Sequence, residues 1–295
     1  MIVLHRSWLY VPGNRPDRFD SAAASGADAV VIDLEDAVPA TAKDEARQAA
    51  AAHAAKAATV VPLYVRINHP RSPWSRVDVA AVAVPALAGI RMPKVEDADE
   101  VRTVAGWLRD ARVPLPLHCL IESALGVERA YDICRADPLV AGLVLGEADL
   151  AADLGTSDDD GLRYARSRCV VAARAAGLPP PVQSVYPNVR DLDGLRASCE
   201  LGRRLGFLGR SAIHPKQVPV INAAYTPSEA EVADARSLLE SAQRRDGEAF
   251  VLPDGRFVDA AVMEQARRTL ELAASRMADR PTEFGAQPTD EERPS

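Results

Sequence analysis

The sequence predicts a (β/α)8 TIM barrel, an α/β fold, followed by a C-terminal helical extension. Three observations carry this. Eight short apolar runs alternate with alanine-rich, charge-bearing segments of helical character. Several of the runs, such as DAVVIDL and VAGLVLG, are apolar nearly throughout, which suits parallel strands covered on both faces. The length of 295 residues accommodates one barrel with an appendage. An open doubly wound sheet with extra strands is the competing arrangement.

In chain order, strands are expected at 6–12, 28–36, 62–67, 89–95, 116–122, 141–149, 181–186 and 205–213. Helices are expected between them. The segment 15–25 stops at Gly26, and 42–58 is rich in alanine. The segment 97–109 opens with acidic residues, as a first helical turn favours. A further helix over 161–176 stops at Gly177, and 192–205 leads into the last strand. The barrel domain is placed at 1–225. Helical segments at 227–245 and 263–277 then flank FVLPDGRFVDA, whose Asp254-Gly255 pair marks a turn. This extension, 226–278, is expected to pack on the barrel or on a neighbouring subunit. The polar, proline-bearing tail 279–295 has no periodicity and reads as disordered.

Composition narrows the function. Hydrophobic residues make up 47% and charged residues 26%, enough for a sizeable core. Aromatics are only 5%, so alanine, valine and leucine must fill it. A net charge of −7 argues against a nucleic-acid partner, while leaving room for a local basic patch that meets a phosphorylated ligand. Cys119, Cys134, Cys169 and Cys199 lie far apart without a C-x-x-C pair, as buried thiols of a reducing cytosol would. MIVLHRSWLYVPG lacks an apolar signal core, and no run is long enough to span a bilayer. A cytoplasmic protein with no membrane partner is expected.

A barrel presents its chemistry at the C-terminal ends of its strands. Strand two ends in Asp33, Glu35 and Asp36, strand three in Arg66 and Asn68, and strand four near Lys94. Strand five ends at Glu122, strand six in Glu147 and Asp149, and strand eight runs into His214. Glu122 and Asp149 on neighbouring strands could be the carboxylate ligands of magnesium, which completes its shell with water and substrate oxygens. They could equally cap the helices that follow. Arg66 ends an apolar run and needs a partner. Its fork could clamp a carboxylate or a thioester oxygen, or pair with a strand-two acid. Alternation sends Asp33 and Glu35 to one face and Leu34 and Asp36 to the other. Lys94 is a candidate Schiff-base lysine, and His214 reads as a packed structural histidine. No G-x-S-x-G, P-loop or G-x-G-x-x-G occurs.

These strand ends resemble the citrate lyase beta-subunit-like proteins of the HpcH/HpaI aldolase/citrate lyase family, within the larger group of class II aldolase and malyl-CoA lyase barrels. The matching pieces are RSWLYVPGNRPDRF, DAVVIDLEDAV followed by KDEAR, YVRIN, MPKVE, LIESALGV, GLVLGEADLAADLG, YARS, VYPN and SAIHPKQV. They run in order over 6–222, and GRFVDAAV follows at 255–262. The resemblance implies a barrel, commonly trimeric or hexameric, with magnesium on Glu122 and Asp149. It implies that Arg66 meets the substrate carboxylate or thioester oxygen, and that Tyr10, Asn14, Arg15 and Lys43 meet coenzyme A. Asp259 stands where some relatives supply a base to a neighbour's site. Two departures stand out. GEAD spaces its acids apart, which leaves the role of Glu147 open, and Gln183 replaces an expected acid, which bears on substrate identity.

The expected reaction is reversible Claisen or aldol cleavage of a 3-hydroxyacyl-CoA of the malyl, citramalyl or citryl type into an acyl-CoA and a keto acid. Arg66, Asp259 and Glu35 are the catalytic candidates, with Arg66 and Glu122 touching substrate. Three rival readings are a citrate lyase subunit acting on a carrier-protein thioester, a coenzyme-independent keto-acid aldolase, and a non-catalytic acyl-CoA-binding protein.

Overall fold

The structure, a computed structural model, describes residues 5–56, 61–245 and 248–278. The end of the expected helix 42–58 and the tail 279–295 lie outside these. The described chain forms two compact units that divide after Tyr225.

The first unit is a parallel barrel. Its strands are β1 (Ser7–Pro12), β2 (Ala29–Asp33), β3 (Leu63–Arg66), β4 (Gly89–Met92), β5 (Leu117–Ile121), β6 (Val140–Leu145) and β7 (Arg210–Ala212). They pair in the order β6-β5-β4-β3-β2-β1-β7. The expected seventh strand, 181–186, is not a regular strand. It makes one bridge to each side, Val144 with Val182 and Gln183 with Arg210, and these close the ring. The reason lies in its sequence. Pro179, Pro180 and Pro181 bring no N–H groups to a ladder.

The helices are α1 (Phe19–Ala23), α2 (Lys43–Ala55), α3 (Ser75–Val82), α4 (Ala98–Asp110), α5 (Ala124–Glu128), α6 (Ala130–Cys134), α7 (Glu147–Leu154), α8 (Arg163–Ala175), α9 (Leu192–Leu205) and α10 (Val218–Ala224). Asp97 caps α4 by accepting from the Asp99 and Glu100 amides, and α9 stops at Gly206 in the left-handed region. Three expectations are corrected. The sixth strand stops at Leu145, so Glu147 and Asp149 form the first turn of α7. The second strand stops at Asp33, and the last run is a strand only over Arg210–Ala212. Helix α3, which the sequence did not announce, covers the step from β3 to β4.

The second unit has its own core. Helices α11 (Glu229–Gln243) and α12 (Ala260–Ala278) bury Ala235, Leu238, Met263 and Ala266 with Phe250 and Val258. The latter two belong to a hairpin of β8 (Phe250–Val251) and β9 (Phe257–Val258), which turns at Asp254-Gly255 with Gly255 at φ +88°. Among the described residues no helix is long and apolar enough to cross a membrane.

Candidate active site

Strand alternation and register build the site. Asp33, Arg66 and Arg91 are neighbours across β2, β3 and β4, so their side chains leave the sheet in the same direction. Trp8, Val31, Tyr64, Leu120 and Val144 fill the barrel below. At the strand ends Tyr10, Asp33, Arg66, Glu122, Asp149 and Ser211 line a cavity of about 470 Å³.

Arg66 is anchored from one side. Its Nε and Nη2 each donate to Asp33 at 2.7 Å, and Nη1 lies 3.0 Å from Glu35. A guanidinium has five N–H groups, so donors remain on Nη1 and Nη2. The ring of Tyr10 stacks 5.2 Å from the guanidinium carbon. Arg66 therefore pairs with the strand-two acids and also faces the cavity, which makes its two sequence readings compatible. Asp33 and Glu35 both meet the Arg66 guanidinium. Asp36 does not take the opposite face: beyond Asp33 the strand has ended, and Asp36 joins Glu35 on the Lys94 ammonium at 3.1 and 2.6 Å. Those contacts hold the Lys94 ammonium well above its ordinary range, the reverse of what a Schiff-base lysine needs. Lys94 also adopts φ +52°, and from this strained position its amide donates to Glu122 Oε2 at 2.7 Å.

Glu122 is 6% exposed. Burial pushes its carboxyl up to about 7, with the charges of Glu35 and Asp149 adding to the effect and Arg66 opposing it. It is not a helix cap, because Ser123 caps α5 by accepting from the Gly126 amide. Asp149 makes no side-chain cap on α7, and among the described residues its carboxylate has no hydrogen bond or ion pair. Gly146 matters here for lack of a side chain. A Cβ at that position would collide with the Glu122 carboxyl. Burial likewise pushes the Glu35 carboxyl above its ordinary range, against the pull of Arg66 and Lys94.

Elsewhere the structure reassigns residues. Lys43 is 7% exposed, and its Nζ donates to the Leu34 and Glu35 carbonyls at 2.8 Å each. It braces the β2 turn, and burial lowers its pKa. Replacing it with methionine is expected to cost about 1–3 kcal/mol in a denaturant titration, the penalty for a stranded buried acceptor. Unchanged stability with weakened coenzyme affinity would return Lys43 to a binding role. Asn14 and Arg15 lie in the turn after β1, with Arg15 in a surface pair to Asp17 at 2.7 Å. Glu147 points away to Arg166 at 2.6 Å, a structural role. Gln183 is turned outward against α9, where it accepts from Arg210 and Tyr225 and donates to the Ser198 carbonyl. Its identity therefore bears on packing and not on substrate choice. His214 accepts from the Lys216 amide and caps the turn after β7. Asp259 lies in the second unit, where it accepts from the Ala261 and Val262 amides at 3.0 Å and caps α12.

Sequence reasoning passed over Gly146 and Arg91, and met Ser211 only as part of the last strand end, without a role. Only Arg91 carried a usable signal: a charge inside the apolar run GIRM, the same signal that marked Arg66. Among the described residues no group of three or more His, Cys, Asp or Glu side chains could hold a metal ion by itself.

Strand-end carboxylates and an anchored arginine on a parallel barrel suit a carbon–carbon bond lyase of the TIM-barrel fold, and a family model of that description matches residues 172–267. The chain belongs to the HpcH/HpaI aldolase/citrate lyase family, whose model matches residues 6–215. It is 39% identical over 283 residues to a citrate lyase subunit beta-like protein of Deinococcus radiodurans, covering 92% of this chain and 98% of the relative. It is 37% identical over 278 residues to a (3S)-malyl-CoA thioesterase of Cereibacter sphaeroides, covering 91% of this chain and 94% of the relative. Among solved structures it resembles the protein CitE from Mycobacterium tuberculosis in complex with magnesium, acetoacetate and coenzyme A. The TM-score is 0.78 at 33% identity, over 92% of this chain and 98% of that one.

Proposed function

We propose that this protein reversibly cleaves a 3-hydroxyacyl-CoA of the malyl, citramalyl or citryl type into an acyl-CoA and a keto acid, using magnesium held by Glu122 and Asp149. The observation that carries the reading is the unspent Asp149 carboxylate beside a buried Glu122 whose carboxyl is pushed up to about 7. Two carboxylates without a protein cage suit magnesium, which keeps places for water and substrate oxygens. When bound, the ion would supply Lewis acidity and a template for the 3-hydroxyl and its neighbouring carboxylate.

The chain's residues account for the rest. In the lyase direction a base takes the 3-hydroxyl proton, the C2–C3 bond breaks, and its electron pair moves onto the thioester as an enolate. The remaining Arg66 donors face that developing charge, while Asp33 and Glu35 keep the guanidinium from swinging. Protonation of the enolate carbon yields the acyl-CoA. Glu35 is spent on Arg66 and Lys94, so it positions and does not accept the proton. Asp259 is assigned as the base, delivered by a neighbouring subunit of a homotrimer or hexamer. Asn14 and Arg15 are assigned to the coenzyme side. The buried free cysteines suit work in the cytoplasm.

Titration of acetyl-CoA and propionyl-CoA, with and without magnesium plus a keto acid, tests this. Mutual strengthening supports it, and no coenzyme binding under any condition overturns it in favour of a carrier-protein thioester or a free keto-acid aldol. Similarity to a malyl-CoA thioesterase supports a second reading, hydrolysis of the thioester. Malyl-CoA separates the two, since a lyase releases glyoxylate and acetyl-CoA whereas a thioesterase releases malate and free coenzyme A. Gly146→Ala is a finer probe. It is expected to displace Glu122 and weaken magnesium binding by at least about 10-fold with the fold intact, as disturbing a ligand's support does. Unchanged affinity would remove Glu122 from the metal site.

A further inference from the structure

Beneath the cavity lies a charge that the mechanism above does not use. Arg91 on β4 has no exposed surface, and among the described residues it forms no ion pair. Its guanidinium carbon sits 4.1 Å from the Trp8 ring centroid and 5.4 Å from that of Tyr10. Nε and Nη2 are buried with no hydrogen-bond partner. Burial pushes the neighbouring His118 down to about 3, with the charge of Arg91 adding to the effect, so that ring stays neutral beside the guanidinium. An uncompensated buried cation is costly, so its retention needs a reason.

The reason is visible in what Nη1 holds. It donates to the Tyr10 hydroxyl at 2.9 Å and to the Ser211 hydroxyl at 3.2 Å. Arginine can only donate, so both oxygens act as acceptors here and each keeps its own hydrogen for something else. Among the described residues neither hydroxyl has an acceptor, and both line the cavity that holds Arg66, Glu122 and Asp149. One cation thus aims two O–H groups at the same space and polarises them.

We propose that Tyr10 and Ser211, positioned by Arg91, form an anion subsite at the floor of the cavity that binds a second carboxylate on the keto-acid half of the ligand. This rests on the lyase reading above. A cavity of about 470 Å³ admits the acyl end of a thioester, while the bulk of the coenzyme must stay outside. The deep end therefore faces the keto acid, away from the coenzyme. A dicarboxylic keto acid supplies the missing negative charge, and a monocarboxylic one leaves Arg91 uncompensated. The subsite is accordingly a specificity determinant that favours dicarboxylic over monocarboxylic keto acids.

The test is calorimetric titration of oxaloacetate and of pyruvate into the full chain with magnesium. Wild type is expected to bind oxaloacetate more tightly. Tyr10→Phe should weaken oxaloacetate about 10-fold or more, as loss of a hydrogen bond to a charged group does, and leave pyruvate unchanged. Ser211→Ala should shift the same ratio in the same direction. Arg91→Met should erase the preference while its ligand-free melting temperature equals or exceeds that of wild type, since an unpaired buried charge has gone. A purely structural arginine would instead lower the melting temperature and weaken both acids alike. Wild-type binding without a preference, or a preference that Tyr10→Phe leaves intact, would overturn the subsite alone. No binding of either acid would overturn it together with the lyase reading.

Discussion

Arg66→Lys is expected to lower kcat by about 10²–10³-fold, the usual consequence of removing a preorganised donor from a developing oxyanion. Lysine keeps a charge for Asp33 and Glu35 but cannot hold Asp33 through two parallel bonds and still face the cavity. Arg66→Ala is a poorer probe than the strand-end position alone suggests. It strands Asp33, which is 2% exposed, and breaking such a buried pair costs about 3–5 kcal/mol. Arg66→Ala with Asp33→Asn relieves that penalty and should recover stability without recovering turnover. Wild-type kcat in Arg66→Lys would remove Arg66 from the chemistry.

The second large effect concerns Glu122 and Asp149. Glu122→Gln and Asp149→Asn are each expected to abolish tight magnesium binding, with activity recovered only at much higher metal. Glu122→Gln has an opposite effect on the metal-free fold. The Glu122 carboxyl is raised from an ordinary 4.5 to about 7, so between those values the folded chain keeps a proton that the unfolded chain has lost. Stability from this group is therefore fully present below about 4.5 and is lost as pH rises through about 7. Above that range glutamine escapes the burial cost, and metal-free Glu122→Gln should melt higher than wild type at pH ~8 but not at pH ~5. Magnesium should bind wild type more tightly as pH rises through about 7, because the ligand must be deprotonated. A magnesium affinity indifferent to pH, or a metal-free difference that does not grow with pH, would sink the Glu122 assignment.

The sequence singled out Arg66, Glu122 and Asp149 by the rule that barrels present chemistry at strand ends. The structure brings the three to one cavity, with Asp149 reaching it from the first turn of α7 and not from a strand. The seventh stave was expected as a regular strand and is not one, since Pro179–Pro181 cannot donate to a ladder, yet the bridges at Val182 and Gln183 still close the ring.

Partnership was not legible. Lys43 and Gln183 carried functional expectations and the role of Glu147 was open, and each is engaged by groups brought close by folding: the Leu34 and Glu35 carbonyls, Arg210 with Tyr225, and Arg166. Arg91 carried a signal, a charge inside the apolar run GIRM, but the lack of a counter-charge that sets it apart from Arg66 appears only in the folded chain. The sequence by itself determined the α/β barrel class and the order of its staves, because hydrophobic period is a local property of the backbone. Only the tertiary structure decided which charges are spent and which remain available. Burial and pairing free energies depend on atoms many residues apart, such as Arg91 with Tyr10 and Ser211, and no short window of sequence contains them.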